Sequence, residues 1–343
     1  MQISPLQRGI YNHQADRIEK TLSSLALPMR VYGGEIAGDR VRYHLSQFPQ
    51  VPTKQVREIA SKVAEAMGVY KVHMDEKEEG WVLDLLLEED FQLRLLPLIE
   101  DLNNLLPVTT VLGIAANGGP LLINLRREET RNLLICGPAG SGKSELLRTL
   151  VLSLALKHRP SQVQFLGIDL SGKELTVMDA LPHALSEVAM DAGYAEEVID
   201  WLAQEIVRRN EARVMHPDVV LVIDDLESVM HYSETLLQKL PLILEDGLKT
   251  GVHLVATSKE IRPGTFLPNW RKSGMVIAKA GTKRAQNKTE EIERGKFEFQ
   301  IGSERIPAQV AWLPARDLQQ AVALVRTGWQ SKDVGVDLKL LWK

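Results

Sequence analysis

Residues 133–147 read "LLICGPAGSGKSELL", and they fix the class of the fold. The stretch contains G-x-x-x-x-G-K-[ST] as Gly137, Gly142, Lys143 and Ser144, after an apolar run and before a helical one. The whole loop, Gly137, Pro138, Ala139, Gly140, Ser141, Gly142, Lys143 and Ser144, is the expected phosphate cradle. Its glycines let backbone N–H groups curl around phosphate oxygens, and the helix behind it adds its dipole. Lys143 is expected at the β- and γ-phosphates, and the Ser144 hydroxyl on Mg²⁺. A strand–loop–helix of this kind belongs in an α/β protein with a largely parallel sheet.

The flanking sequence repeats that alternation. "VQFLGID" (163–169), "VVLVID" (219–224), "VHLVAT" (252–257) and "MVIAKA" (275–280) are short apolar strands, with helical stretches such as 195–212 between most of them. Nearly uninterrupted apolar strands imply a sheet covered on both faces. Asp224 ends one of these strands and Asp225 follows it directly. A carboxylate ending a buried strand needs a counter-ion. Asp224 is therefore the expected second Mg²⁺ ligand, through water, and Asp225 the group that orients or deprotonates an attacking water. The tetrad "NKTE" (287–290) has glutamate where a guanine-reading aspartate belongs, so the expected nucleotide is ATP.

Upstream, 39–48 alternates as a strand, 53–68 reads as an amphipathic helix, and "YKVHM" with "GWVLDLLL" reads as a hairpin. "VTTVLGIAANGGPLLINL" (108–125) reads as two strands joined at Asn-Gly-Gly. The expected organisation is an N-terminal extension (1–38), a small α/β domain (39–107), a nucleotide-binding domain (108–315), and a C-terminal helix and tail (316–343).

Composition sets limits. A 44% hydrophobic and 25% charged chain is ordinary for a globular protein. Its apolar runs fall far short of the roughly 20 residues that span a bilayer. A lone cysteine, Cys136, allows no internal disulfide. With a start unlike a signal peptide, these features give a cytoplasmic expectation without membrane insertion. The net charge of −4 gives the surface as a whole no attraction for nucleic acid. Locally, Arg271, Lys272, Lys279, Lys283, Arg284 and Lys288 fall in one stretch with no acidic residue between them. That is the pattern of phosphate-backbone binding. The eight histidines lack ligand spacing, so no zinc site is expected.

In order along the chain, "LGIAANGGPLLINL", the loop, "IDLSGKEL" (168–175), "LPHALSEV" (181–188), "WLAQEIVRR" (201–209) and "GLKTGVHLVATSKE" (247–260) resemble the FtsK/SpoIIIE-type DNA translocases of the HerA–FtsK superfamily. The resemblance covers roughly residues 40 to 325. It implies a RecA-like P-loop ATPase core, a small preceding ring domain, a hexameric homo-oligomer, and double-stranded DNA as partner. It places sensor positions at Thr257 and Ser258. The arginine that the family directs at a neighbour's γ-phosphate falls on Leu248, which leaves Lys249 as the nearest cation. Asp225 stands for a glutamate, Ser258 for a glutamine and Ser171 for a lysine, and together these imply weakened hydrolysis. The family's membrane anchor and winged-helix loading domain are not expected here. The leading expectation is a DNA-translocating ATPase. An ATP-binding assembly scaffold and a secretion-type ATPase moving protein are the alternatives.

Overall fold

The computed structural model describes residues 4–329 except 38–39, 47–52, 68, 70, 78–79, 87–92, 101, 103, 261–272 and 285–289. Two sheets organise it. The first has four antiparallel strands in the order β1-β2-β4-β3: β1 (Val31–Ala37), β2 (Arg40–Leu45), β3 (Val72–Lys77) and β4 (Gly80–Leu86). β2 alternates as its sequence predicts, with Val41, Tyr43 and Leu45 buried. Helices α1 (Pro5–Ser24) and α2 (Thr53–Met67) pack on this sheet through Ile18, Leu22, Val63 and Ala64. The 3.6-residue apolar spacing of both helices supplies that face.

The expected extension 1–38 is therefore corrected. Residues 31–37 form an edge strand of the small sheet, which Gly33 and Gly34 hide from an alternation search. α1 is opened by a capping box in which Ser4 and Gln7 exchange hydrogen bonds. α1 also joins the two units. Arg17 Nε donates to the Ala66 carbonyl at 2.6 Å, and Arg17 Nη1 to the Pro97 carbonyl at 2.5 Å.

The second sheet has nine strands in the order β6-β5-β13-β12-β11-β7-β10-β9-β8. Its parallel part is β11 (Met275–Arg284), β7 (Asn132–Cys136), β10 (Val252–Ser258), β9 (Asp218–Ile223) and β8 (Val163–Ile168). Beyond β11 the sheet turns antiparallel through β12 (Glu290–Ile301), β13 (Glu304–Val310), β5 (Thr109–Ala115) and β6 (Pro120–Asn124). The Asn-Gly-Gly turn joins β5 and β6 as predicted, with Asn117 Oδ1 accepting from Gly119 N–H at 3.0 Å.

Strand β7 shows why its sequence is apolar throughout. Leu133 and Ile135 enter one core with α3 (Leu95–Glu100), α4 (Lys143–Lys157) and α8 (Ala315–Gly328). Leu134 and Cys136 enter the other, with α5 (Ala192–Ala212), α6 (Leu226–Tyr232) and α7 (Glu234–Thr250). Period-two alternation thus feeds two cores of opposite sides. The C-terminal helix expected within 316–343 is part of the first core through Ala321, Leu324 and Val325. Three of the scattered histidines are hydrogen-bonded inside the structure: His158 to Thr109, His183 to the His158 carbonyl, and His253 to Asp218.

β7 lies between β10 and β11, and β9 lies on the far side of β10. Register places Ser258 opposite Cys136 and Ala256 opposite Ile223. The segments after β7 and β9 and the end of β10 therefore meet at one edge of the sheet, where ligands of open α/β sheets bind. Phe299 is fully buried in the first core. Phe299→Ala should cost about 3–5 kcal/mol of stability, read as a lower midpoint with unchanged slope in urea unfolding.

Candidate nucleotide site

The loop after β7 is built by glycine. A Cβ on Gly137 would lie 2.4 Å from the Ala280 Cβ and 2.9 Å from Ser141 Oγ. Gly142, at φ 96°, is the left-handed N-cap of α4 and supplies no side-chain cap. The first N–H groups of a 15-residue helix therefore face the loop, together with the positive end of its dipole. Lys143 Nζ lies back over the loop and donates to the carbonyls of Gly137 (2.8 Å) and Pro138 (3.0 Å). Burial holds the ammonium below its usual pKa, against the opposing pull of Asp224 and Asp225.

The two acids are tied together by one hydroxyl. Thr257 Oγ1 donates to Asp224 Oδ1 at 2.7 Å and accepts the Asp225 backbone N–H at 2.8 Å. Ser144 Oγ donates to the same Asp224 oxygen at 3.4 Å. A hydroxyl and a carboxylate meeting at this distance form the hard-oxygen donor set that suits a divalent cation such as Mg²⁺. Asp225 takes the left-handed φ of 56° as N-cap of α6. Its Oδ2 accepts from Ser228 Oγ at 2.8 Å and lies 3.6 Å from Lys259 Nζ. Its Oδ1 is buried without a hydrogen-bond partner among the described residues. Ser258 Oγ is shared between Glu227 Oε1 (2.9 Å) and the Glu260 carbonyl (2.7 Å). Lys143, Ser144, Asp224, Asp225, Thr257 and Ser258 line a cleft of about 470 Å³.

Other lining groups escaped the sequence reading. Arg148 stands between Glu145, at 2.5 Å, and Glu174. Its place four residues after Ser144, on the same helix face, was available as a signal. Arg294 comes from β12, whose Gly295 N–H donates to the Ser141 carbonyl at 3.2 Å. No local pattern announces that approach. Ser171, where the resemblance expects lysine, has a structural task. Its Oγ donates to Asp169 Oδ1 at 2.7 Å, in a turn where that carboxylate also takes backbone N–H groups from Ser171 to Leu175. Burial works to raise the Asp169 pKa, and these donors hold it below the usual value.

Lys249 is not part of this cleft. It lies on α7, 73% exposed, with Nζ 3.6 Å from Asp246. Of the expected DNA-binding residues, Arg271 and Lys272 lie outside the described residues, as does Lys288. Lys279 is exposed on β11 opposite Cys136. The backbones of Lys283 and Arg284 end β11, opposite Glu291 and Glu290 of β12.

Burial raises the Asp224 pKa; the Thr257 hydroxyl opposes it, and Asp169, Glu174 and Asp225 add to it. The folded protein thus holds this proton more tightly than the unfolded chain. The stability that Asp224 forfeits sets in as pH rises through the unfolded value and is complete above the folded one. Carbon-detected NMR should show Asp224 titrating above the ordinary carboxylate range, and Thr257→Val, which removes the opposing hydrogen bond, should move it higher still.

Comparison with known proteins places the chain. Residues 103–265 match the FtsK/SpoIIIE family. DNA translocase SftA of Bacillus subtilis (strain 168) is 27% identical over 222 residues, 58% of this chain and 22% of that protein. DNA translocase FtsK of Tropheryma whipplei (strain TW08/27) is 36% identical over 103 residues, 30% of this chain and 14% of that protein. The chain thus spans well under half the length of these relatives. Among solved structures, the cytoplasmic domain of the Thermomonospora curvata type VII secretion ATPase EccC superposes with a TM-score of 0.57 at 22% identity, over 72% of this chain and 35% of that one. The pCW3 conjugation coupling protein TcpA does so with a TM-score of 0.50 at 12% identity, over 91% and 99%. At such identities the two structures speak for the fold alone. The glycine-built loop and the paired acids behind it thus lie within the stretch 103–265 that matches the FtsK/SpoIIIE family, on a RecA-like fold shared with P-loop ATPases.

Proposed function

We propose that this chain is an ATP-driven motor that moves double-stranded DNA. The observation that carries the reading is the cleft itself. Loop lysine, Mg²⁺-type donors and a second acid converge there, inside a domain whose relatives are DNA translocases. Bound ATP lays its phosphates along 137–144, and Lys143 exchanges two loop carbonyls for phosphate oxygens, a stronger, charge-assisted pairing. Ser144 and Asp224 would hold Mg²⁺, which would neutralise charge on the terminal phosphates. Asp225, fixed by Ser228 and by its own backbone bond to Thr257, accepts the proton of the attacking water. Its carboxylate stands one methylene short of a glutamate, so the chemical step is slower than a glutamate would give.

The same reading assigns the remaining sequence features. Lys249, exposed on α7, acts on the site of a neighbouring subunit in a ring-shaped homo-oligomer, for which six copies are expected. Lys279, Lys283 and Arg284, with Arg271 and Lys272, meet the DNA backbone. The proposed place of work is the cytoplasm; among the described residues no helix is long and apolar enough to cross a membrane.

Steady-state ATP hydrolysis tests this. Linear duplex DNA should stimulate turnover several-fold at low salt, and the stimulation should fade as salt rises, since each phosphate contact displaces counter-ions. Lys143→Ala should reduce turnover to background while the circular dichroism spectrum is retained. Turnover that survives Lys143→Ala, or a wild-type rate indifferent to DNA at every salt concentration, would overturn the reading.

A further inference from the structure

The acid side of the cleft contains a cation to which neither the loop nor the ring arrangement gives a task. Lys259 directly follows β10, lines the cleft with Lys143, Ser144 and Asp225, and is 65% exposed. Its backbone is anchored from both sides. Ser258 Oγ bonds Glu227 Oε1 at 2.9 Å, and the Glu260 N–H donates to the same oxygen at 3.3 Å. The side chain beyond that anchor is a flexible four-carbon stem with a point charge. It rests 3.6 Å from Asp225 Oδ2 as a water-screened ion pair, and such pairs hold weakly.

The other cations of the cleft are differently placed. Lys143 belongs to the loop, Arg148 is clamped by Glu145 and Glu174, and Arg294 enters from the β12 side. Lys259 alone among the described cleft cations stands at the end of β10, beside both acids. In a nucleotide whose β- and γ-phosphates meet Lys143 and whose metal meets Ser144 and Asp224, the terminal phosphate is the part nearest that end.

We propose that Lys259 is a same-subunit ligand of the terminal phosphate, and that it gives up Asp225 for that phosphate when a nucleoside triphosphate binds. The inference rests on the ATP reading above and deepens it. A phosphate with more than one negative charge and three acceptor oxygens outcompetes a single carboxylate that already takes the Ser228 hydroxyl. The exchange has a second effect on the same atoms. Asp225 Oδ2 is released from its cation at the moment the bond to be cleaved arrives. A diphosphate lacks the competing group and leaves the Lys259–Asp225 pair in place.

The test is competitive displacement of a fluorescent ADP from the full-length chain in Mg²⁺ buffer, by ADP and by a slowly hydrolysed ATP analogue. Wild type, Lys259→Ala and Lys259→Arg are compared, with turnover measured alongside. Lys259→Ala should weaken the triphosphate analogue about tenfold and ADP by no more than about twofold, and lower kcat, as expected for one lost charge-assisted contact. Lys259→Arg should restore most of the triphosphate affinity. Equal losses for both nucleotides, no loss, or faster turnover at an unchanged affinity ratio would overturn the proposal, the last by showing that Lys259 only restrains Asp225. A wild-type chain that binds neither nucleotide would instead overturn the ATP reading, and this inference with it.

Discussion

Strand β10 pairs in parallel with β7 on one side and with β9 on the other, and the cleft depends on that double pairing. The register sets Ser258 against Cys136, so the loop begins where β10 ends, and the Gly137 N–H donates to the Ser258 carbonyl at 3.2 Å. The same strand reaches β9 through Thr257, whose hydroxyl touches both Asp224 and Asp225. A slip by one residue would send Thr257 to the opposite face and leave the Asp224 carboxylate and the Asp225 backbone N–H without their shared partner. The backbone ladder, together with apolar packing on both faces, therefore sets the positions of groups that come from three separate segments.

Charge in the cleft is arranged in unequal pairs. Asp224 is buried and costly as an anion, and its hydroxyl partners soften that cost without removing it. Lys143 is the mirror case, an ammonium whose burial favours the neutral form. Each group is better off with an ion of opposite sign beside it than with the partners it has within the chain. A magnesium–nucleotide complex brings both signs at once.

The sequence made the parallel part of the fold legible because buried strands leave an apolar signature and the loop motif punctuates it. The Asn117–Gly119 turn was legible for the same reason, since its chemistry is local. Edge strand β1 was not, because Gly33 and Gly34 interrupt its alternation. In the cleft, Lys143, Ser144, Asp224 and Asp225 could be named in advance because each sits at a fixed offset from a strand end. Arg294 could not, since it arrives from β12, some 150 residues downstream of the loop, through sheet pairing that no spacing rule encodes. Lys249 was drawn toward the site by resemblance alone. The helix that carries it holds it against Asp246, on a surface that this chain's own loop does not share.

The bond from Gly295 N–H to the Ser141 carbonyl joins the β11–β12 ribbon to the phosphate loop near the ribbon's base. Farther out, past a register irregularity between Ala280 and Thr282, the ribbon is paired through Thr282 with Ile292 and through Arg284 with Glu290. A Cβ at position 295 would meet only the flexible end of Gln309, at 2.8 Å, so it is the left-handed φ of 74° that calls for glycine there. The hairpin thus links the phosphate loop to the strand that ends in Lys283 and Arg284, through a position where only glycine is unstrained.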